Sequence, residues 1–487
     1  MIKNYLKTSS FYLIIFILLL QAITDTDFGW HLAVGKFIFE TKSIPTHDLF
    51  SFTLPNYQYI YHSWASYLAV FLSYKIAGFA GVSALYSFIL TLSVFFLIKI
   101  IKTLYQKNIN LFLILTTTPL ILSISGARPR ASSFLFFSII YYLFLKFANE
   151  KSKTIYFVPF IFFLWVNFHG SFLIGLLTFT LFIVISAISK DINTSQIKTL
   201  IKVLGFSLLA TLINPYFYGA WKQALEISFN SSLNLRNINI DWKPLVGSGG
   251  TGWIFASFIV LTVIAIYKLK IKIGTREKTL LLIFFISSLY TARFTLPLLV
   301  FYLPSLHLLF YDYKKVIDQK ILNLAPVKIA FFSLTLIIIL IAFSNILQIM
   351  IVYKTFENYS YFLQTRSPSR FYYASWPYNS SQFVVDQFSD KNILCDANWS
   401  GYLLLLNPNI KVFYYGAMDN YLFNNTSFAA IYLNLINGYS PAQITLDKYN
   451  VDIIFLPPAH KIVNNLRSNL NWHIVMEDEK AVVFSKN

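Results

Sequence analysis

The sequence predicts an all-α polytopic membrane domain followed by a small α/β domain outside the membrane. Three observations carry that expectation. Hydrophobic residues make up 56% of the 487 positions and charged residues only 12%. The mean hydropathy is +0.59, whereas a soluble domain carries about 25% charged residues. Lysine clusters and unusual polar motifs alternate along the chain with apolar segments between them, so the two kinds gather on opposite membrane faces. Beyond about residue 355 the long apolar runs stop, and short strand-like runs alternate with helix-like ones.

A crossing needs about 17–25 residues, fewer where its ends snorkel. Segments near 8–23, 82–101, 110–126, 131–147, 155–168, 171–189, 198–214, 251–268, 279–292, 295–310 and 327–351 supply about eleven of them. The first resembles a signal peptide in its Lys3 and Lys7. It runs into Thr24-Asp25-Thr26-Asp27 without a small-residue cleavage site, however, and reads as a retained helix. The segment 65–79 decides the threading. As a crossing, it would put Lys99, Lys102 and Lys107 outside and reverse every later loop. As an interfacial helix on the outer face, it leaves all the lysine clusters cytoplasmic. Those clusters are Lys146/Lys151/Lys153, Lys190/Lys198/Lys202, Lys268/Lys270/Lys272/Arg276/Lys278 and Lys314/Lys315/Lys320.

That threading gives a cytoplasmic N-terminus and an external C-terminus. It divides the chain into a membrane domain, 1–354, with a large first outer loop at 24–81, and an external domain, 355–487. In the latter, 392–396, 411–415, 451–456, 473–477 and 481–485 read as strands. Segments near 379–389, 425–437, 441–449 and 459–469 read as helices, and the alternation implies an α/β domain.

The formal charge of +18 sits in short loops between apolar runs, which argues for membrane topology and against nucleic acid. Cys395 is the only cysteine, so no intrachain disulfide forms. A Gly-rich phosphate loop, a Walker pattern and a His-x-x-x-His zinc spacing are all absent, which disfavours a cytosolic nucleotide donor.

The first outer loop has the densest chemistry. Asp25 and Asp27 sit where the first helix leaves the bilayer, followed by Trp30-His31, Pro45-Thr46-His47-Asp48 and His62-Ser63-Trp64. A carboxylate there serves as a general base or holds a divalent cation through oxygen ligands. The plainer alternative is solvated acids beside an interfacial Trp anchor. Arg128, Arg130 and Arg293 fall on the outer face, where arginine is disfavoured, and each needs an anionic partner or water. A guanidinium binds phosphate bidentately, which suits recognition of a lipid phosphate, while snorkelling to ordinary headgroups is the alternative. Asn167-Phe168-His169-Gly170, Asn214-Pro215-Tyr216 and Asp241-Trp242 mark further outer turns. Asn167 and His169 are candidates to touch substrate, although a turn histidine more often holds structure.

The order of these motifs resembles the GT-C class of membrane glycosyltransferases, which includes protein O-mannosyltransferases, aminoarabinose transferases of lipid A and oligosaccharyltransferases. The resemblance begins with Thr24-Asp25-Thr26-Asp27-Phe28-Gly29-Trp30-His31-Leu32 and passes through Gly35 and Ile44-Pro45-Thr46-His47-Asp48-Leu49-Phe50-Ser51. Its later landmarks are Ala127-Arg128-Pro129, Leu164-Trp165-Val166-Asn167-Phe168-His169-Gly170, Asn214-Pro215-Tyr216 and Asn398-Trp399-Ser400-Gly401-Tyr402-Leu403. They are similar to those of a bacterial group of GT-C-like membrane proteins and cover nearly the full length.

The resemblance implies a bacterial inner-membrane enzyme with a GT-C fold and a polyprenyl-phosphate-linked sugar as donor. The acceptor would be a lipid or a periplasmic molecule. In that class an acid at the start of the first outer loop acts on the acceptor; Asp27 matches it best, with Asp25 as the alternative. The donor and acceptor contacts implied are Trp30, His31, Asp48, His62, Arg128, Arg130, Asn167, His169 and Arg293. The sequence departs from the group at Ser63, where an acid is expected, and at Tyr415-Gly416-Ala417, which lacks an Asp and an Arg. Those departures leave a divalent cation (Mg²⁺ or Mn²⁺) an open question and keep an inactive member in view.

Two other classes compete. A transporter or flippase for a lipid-linked glycan would place ionisable groups at mid-membrane and show inverted repeats. Here the charges lie at segment ends and no repeat is visible. A non-catalytic envelope-assembly scaffold would tolerate loss of both Asp25 and Asp27.

Overall fold

The computed structural model describes residues 2–21, 23–106, 111–247, 250–268, 270–317, 377–439 and 441–487. The chain is mostly helical, with one small α/β domain at its C-terminal end. The helices are α1 (Ile2–Leu18), α2 (Phe28–Thr41), α3 (Trp64–Tyr105), α4 (Leu111–Ser125), α5 (Arg130–Glu150), α6 (Val158–Phe168), α7 (Phe172–Ile188) and α8 (Thr194–Ala210). Then come α9 (Gly219–Phe229), α10 (Leu235–Ile238), α11 (Gly250–Lys268), α12 (Thr275–Tyr290) and α13 (Thr295–Ile317). The C-terminal helices are α14 (Tyr378–Phe388), α15 (Ala397–Leu406), α16 (Phe428–Ile436), α17 (Ala442–Lys448) and α18 (Lys461–Arg467).

A helix occupies ten of the eleven segments expected to cross the membrane; the eleventh, 327–351, lies outside the described residues, as does Lys107. Among the described residues, three helices are long and apolar enough to span a bilayer by length and composition: Trp64–Tyr105, Arg130–Glu150 and Ala292–Leu309. Ser9–Leu18, Lys153–Phe168, Phe172–Ile188 and Gly252–Lys268 are apolar but shorter. Large side chains such as Phe206, Leu209 and Ile286 stand exposed on outer helix faces, the surface a bilayer covers. The 42 residues of α3 would be about 63 Å long if straight, twice the hydrocarbon thickness. They do not run straight. Ala77 and Gly78 leave the helical region, Gly78 with φ 58°, and so part the segment 65–79 from 82–101.

The chain separates into two compact units, each drawn from distant stretches. The membrane unit takes Met1–Gln21, Ser83–Phe217 and Ile240–Tyr353, and the second unit takes Ala22–Val82, Tyr218–Asn239 and Lys354–Asn487. In the membrane unit Tyr141 of α5 is fully buried, its ring 5.0 Å from both Phe182 of α7 and Phe301 of α13. Trp165 of α6 is buried against Phe137. A Cβ at Gly175 of α7 would lie 2.4 Å from the Trp165 ring, so that crossing requires glycine.

The second unit is built on a five-stranded sheet in the order β2-β1-β5-β7-β6. Its strands are β1 (Asn392–Cys395), β2 (Lys411–Val412), β5 (Ile453–Leu456), β6 (Trp472–Glu477) and β7 (Val482–Lys486). Strands β2, β1 and β5 are parallel, and β7 runs antiparallel to both of its neighbours, β5 and β6. The runs Ile453-Ile454-Phe455-Leu456 and Val482-Val483-Phe484 are buried at every position, as strands covered on both faces must be. A separate hairpin joins β3 (Leu422–Phe423) to β4 (Thr426–Ser427).

The first outer loop is part of this same unit. Ser51 bridges Val412 in parallel, with Val412 N donating to Phe50 O at 3.0 Å, so the loop lengthens the sheet beyond β2. Helices α2 and α15 cross where two glycines meet: a Cβ at Gly29 would lie 1.6 Å from Gly401 O, and one at Gly401 2.0 Å from Thr26 O. The landmarks Phe28-Gly29-Trp30-His31 and Asn398-Trp399-Ser400-Gly401, some 370 residues apart in the chain, are thus in direct contact.

Candidate functional site

Two polar clusters stand out, one in each unit. In the membrane unit α4 ends at Gly126, whose φ of 62° suits a C-terminal glycine cap, and its N–H donates to Leu122 O at 2.8 Å. The chain then turns through Ala127-Arg128-Pro129 into α5, with Arg130 as the first helical residue. Arg130 Nε donates to Ser125 O at 2.8 Å, tying the two helix ends together. Its Nη1 donates to Asp241 Oδ1, also at 2.8 Å.

Asp241 lies in the 3₁₀ turn Ile240–Trp242, which is fastened to the end of α12: Thr291 Oγ1 donates to Asp241 O at 3.2 Å and Ala292 N to Lys243 O at 2.8 Å. The residue after Ala292, Arg293, lays its guanidinium 3.8 Å from the centre of the Trp242 ring. Burial by itself would raise the Asp241 carboxyl, but the guanidiniums of Arg130, Arg128 and Arg293 outweigh it and hold the group below the usual carboxylate range. All three arginines singled out in the sequence therefore act on one carboxylate.

Asn167 and His169 also belong to the membrane unit but knit helices. Asn167 Nδ2 donates to Phe163 O at 2.8 Å and to Ile213 O at 3.1 Å. His169 Nδ1 lies 2.9 Å from Ser133 Oγ and 2.8 Å from Ser171 Oγ, and Trp165 Nε1 donates to the same Ser133 Oγ at 3.1 Å.

In the second unit Asp25, Asp27, Trp30 and His31 come together at the start of α2. Asp25 is buried and its Oδ1 accepts from Asp27 N at 3.3 Å. Asp27 is only half-buried and immediately precedes the helix, where the N-terminal dipole favours a negative charge. Its Oδ1 accepts from Trp30 Nε1 at 3.0 Å. The Trp30 ring is wedged between His31, Tyr67 and Tyr415, and His31 stacks on Tyr67 at 4.8 Å. Gly416 makes room for the carboxylate, since a Cβ there would fall 1.9 Å from Asp27 Oδ1. The Tyr415-Gly416 step that departs from the family pattern therefore packs around Asp27.

The remaining two candidates brace the loop. Asp48 is buried, and its Oδ1 accepts from Phe50 N at 2.7 Å and Ser51 N at 2.8 Å. Burial pushes the Asp48 carboxyl up despite those donors. His62 Nδ1 lies 3.0 Å from Gln223 Oε1 of α9. Among the described residues no group of three or more His, Cys, Asp or Glu is gathered to hold a metal ion.

Against solved structures the chain aligns over nearly its whole length. It matches the Archaeoglobus fulgidus oligosaccharyltransferase with a TM-score of 0.55 at 12% identity, over 92% of this chain and 69% of that one. The same enzyme, AglB, in complex with an inhibitory peptide and a dolichol-phosphate matches with a TM-score of 0.53 at 12% identity, over 93% and 70%. ArnT from Cupriavidus metallidurans bound to undecaprenyl phosphate matches with a TM-score of 0.53 at 11% identity, over 99% and 98%. Both are GT-C glycosyltransferases. The chain shares the GT-C fold. Neither a family model nor a curated protein sequence matches it.

One member of the arginine cluster is not nominated by the sequence pattern. Asp241 is visible there as an acid in an outer turn, but its pairing with Arg130 spans 111 positions and has no local signature.

Proposed function

We propose that this protein is an integral membrane glycosyltransferase that moves a sugar from a polyprenyl-phosphate donor to an extracytoplasmic or lipid-linked acceptor. The observation that carries this reading is the convergence of Arg128, Arg130 and Arg293 on Asp241, which gathers three guanidiniums around one carboxylate at helix ends. The lipid phosphates named in the AglB and ArnT structures support it by analogy of fold. In the proposed reaction Asp27 takes the proton from an acceptor hydroxyl, and the oxygen attacks the anomeric carbon. The bond from that carbon to the phosphate oxygen breaks, and polyprenyl phosphate departs as an anion whose growing charge the guanidiniums stabilise. Trp30 holds the Asp27 carboxylate in place for this step. The polar helix ends face the periplasm of a bacterial inner membrane and the lysine-rich ends the cytoplasm.

The test is donor binding by the purified full-length chain. Arg128→Gln and Arg293→Gln should each weaken binding of undecaprenyl phosphate by roughly ten- to a hundred-fold, the scale of a charge-assisted contact worth about 1.5–3 kcal/mol. Lys102→Gln should leave it unchanged. Unaltered binding in both arginine variants would remove them from the donor site.

A further inference from the structure

Between α11 and α12 lies a cavity of about 650 Å³. Its apolar walls include Ile259, Val263 and Ile264 of α11 and Leu281, Leu282 and Phe285 of α12. Val263, Ile264 and Leu282 are 44%, 46% and 58% exposed, so the cavity is a groove open on the outer face of the helix pair. Three lysines line the same groove: Lys270 and Lys272 in the connection between the helices, and Lys278 in the first turns of α12. All three are exposed, and no carboxylate among the described residues forms an ion pair with them. The acid nearest in sequence, Glu277, is already engaged. It is buried, and its Oε1 accepts from Arg276 Nε at 2.8 Å, Arg276 Nη2 at 2.6 Å and Tyr141 OH at 3.0 Å.

We propose that this groove binds an anionic phospholipid, with the phosphate among Lys270, Lys272 and Lys278 and an acyl chain along the apolar walls. Neither half of the groove makes sense alone. A soluble anion has no use for the Ile, Val, Leu and Phe walls, and a neutral lipid has none for three uncompensated ammoniums. An amphiphile with a negative head satisfies both. The groove is distinct from the arginine cluster, because α12 is 16 residues long, about 24 Å, and Arg293 follows its other end. The lipid bound here is therefore not the donor, and the proposal stands whether or not the chain transfers a sugar.

The test uses the full-length chain in mild detergent, with lipid retention read by native mass spectrometry. Phosphatidylglycerol should be retained in preference to phosphatidylcholine. The triple variant Lys270→Gln/Lys272→Gln/Lys278→Gln should weaken that retention on the order of a hundred-fold, at about 1 kcal/mol per lysine near an anionic surface. Filling the groove with Val263→Trp/Leu282→Trp should also weaken it, with every lysine in place. An equal loss in the control variant Lys146→Gln/Lys151→Gln/Lys153→Gln would reduce the effect to bulk charge and overturn the proposal. Wild-type retention in the tryptophan variant would overturn it by removing the groove as the seat. Displacement of the lipid by an equal concentration of glycerol phosphate, which has the head without the tail, would replace it with a soluble-anion site.

Discussion

Asp25 and Asp27 are two residues apart, yet their surroundings separate their roles. Asp25 is buried and spends an oxygen on the Asp27 backbone, while Asp27 is half-buried, with its carboxylate against Trp30 and Gly416. Asp27→Asn should fold and insert normally, since the change is isosteric, but turnover should fall by about 10²–10⁴, the scale of general-base catalysis. Asp25→Asn should cost less, because an amide oxygen still accepts from the same N–H. Full activity with both acids replaced would leave only the transporter and scaffold readings. A second prediction at this scale follows from Asp241, whose carboxyl is held low by three guanidiniums against the opposing effect of burial. A depressed acid stabilises the fold above its unfolded pKa of about 3.9, and that contribution is lost as pH falls through the folded value. Thermal unfolding should therefore find Asp241→Asn less stable than wild type by about 1.5–3 kcal/mol near pH 6, with the gap closing at more acidic pH. A gap that persists undiminished in acid would mean that the Asp241–Arg130 pair is not its source. Asp48 has the opposite sign: burial raises its carboxyl, so its contribution is full in acid and shrinks as pH rises through the folded value.

Whether an element is legible in the sequence depends on how it buries its side chains. The main strands of the α/β domain are legible to within two residues where 453–456 and 482–484 form short aliphatic and aromatic runs bounded by polar segments, whereas the strand expected over 411–415 is only Lys411–Val412 and the short hairpin strands 422–423 and 426–427 have no such run. The break at Gly78 agrees with reading 65–79 and 82–101 as separate segments. Helix α15 leaves no such trace. It is buried on nearly all sides from Trp399 to Leu404, so no polar face marks a 3.6-residue period, and the sequence pattern assigns no element to 397–406. Helix α2 is hidden in the same way, with nine of its 14 residues buried. The glycines at 29 and 401 are visible as motif letters, but only the crossing explains them. Gly29→Ala or Gly401→Ala sets a methyl within 2.0 Å of a backbone carbonyl oxygen, so the helices must part, at a cost of roughly 1–3 kcal/mol for overpacking. Gly205→Ala in α8 is the matched control, because a Cβ there has nothing within 4 Å. A thermal midpoint that falls for Gly401→Ala but not for Gly205→Ala would support the crossing; equal midpoints would refute it.

At the scale of the whole molecule, the compact units do not follow chain order. The second unit gathers the first outer loop, the 218–239 stretch and the C-terminal domain, a grouping no local pattern announces because it rests on contacts such as Ser51 with Val412 and His62 with Gln223. What the sequence does convey is polarity along the membrane helices. Helix α5 starts at Arg130 and is followed by Lys151 and Lys153, and α12 carries Lys278 in its first turns and is followed by Arg293. At 21 residues α5 is about 31 Å long, a full hydrocarbon thickness, so its arginine and lysine ends belong at opposite membrane surfaces. The positive-inside bias then orients the chain, since short cytoplasmic loops collect lysine and arginine. The arginines at the opposite ends do not reverse that bias, because Arg130 is paired with Asp241 and the lysine clusters outnumber them. Reporter fusions after Lys153 and after Lys278 should therefore behave as cytoplasmic, and a fusion after Asn487 as periplasmic. A periplasmic signal at Lys153 would mean that 65–79 crosses the bilayer. It would carry the arginine cluster to the cytoplasmic face and remove an externally presented donor from the proposal.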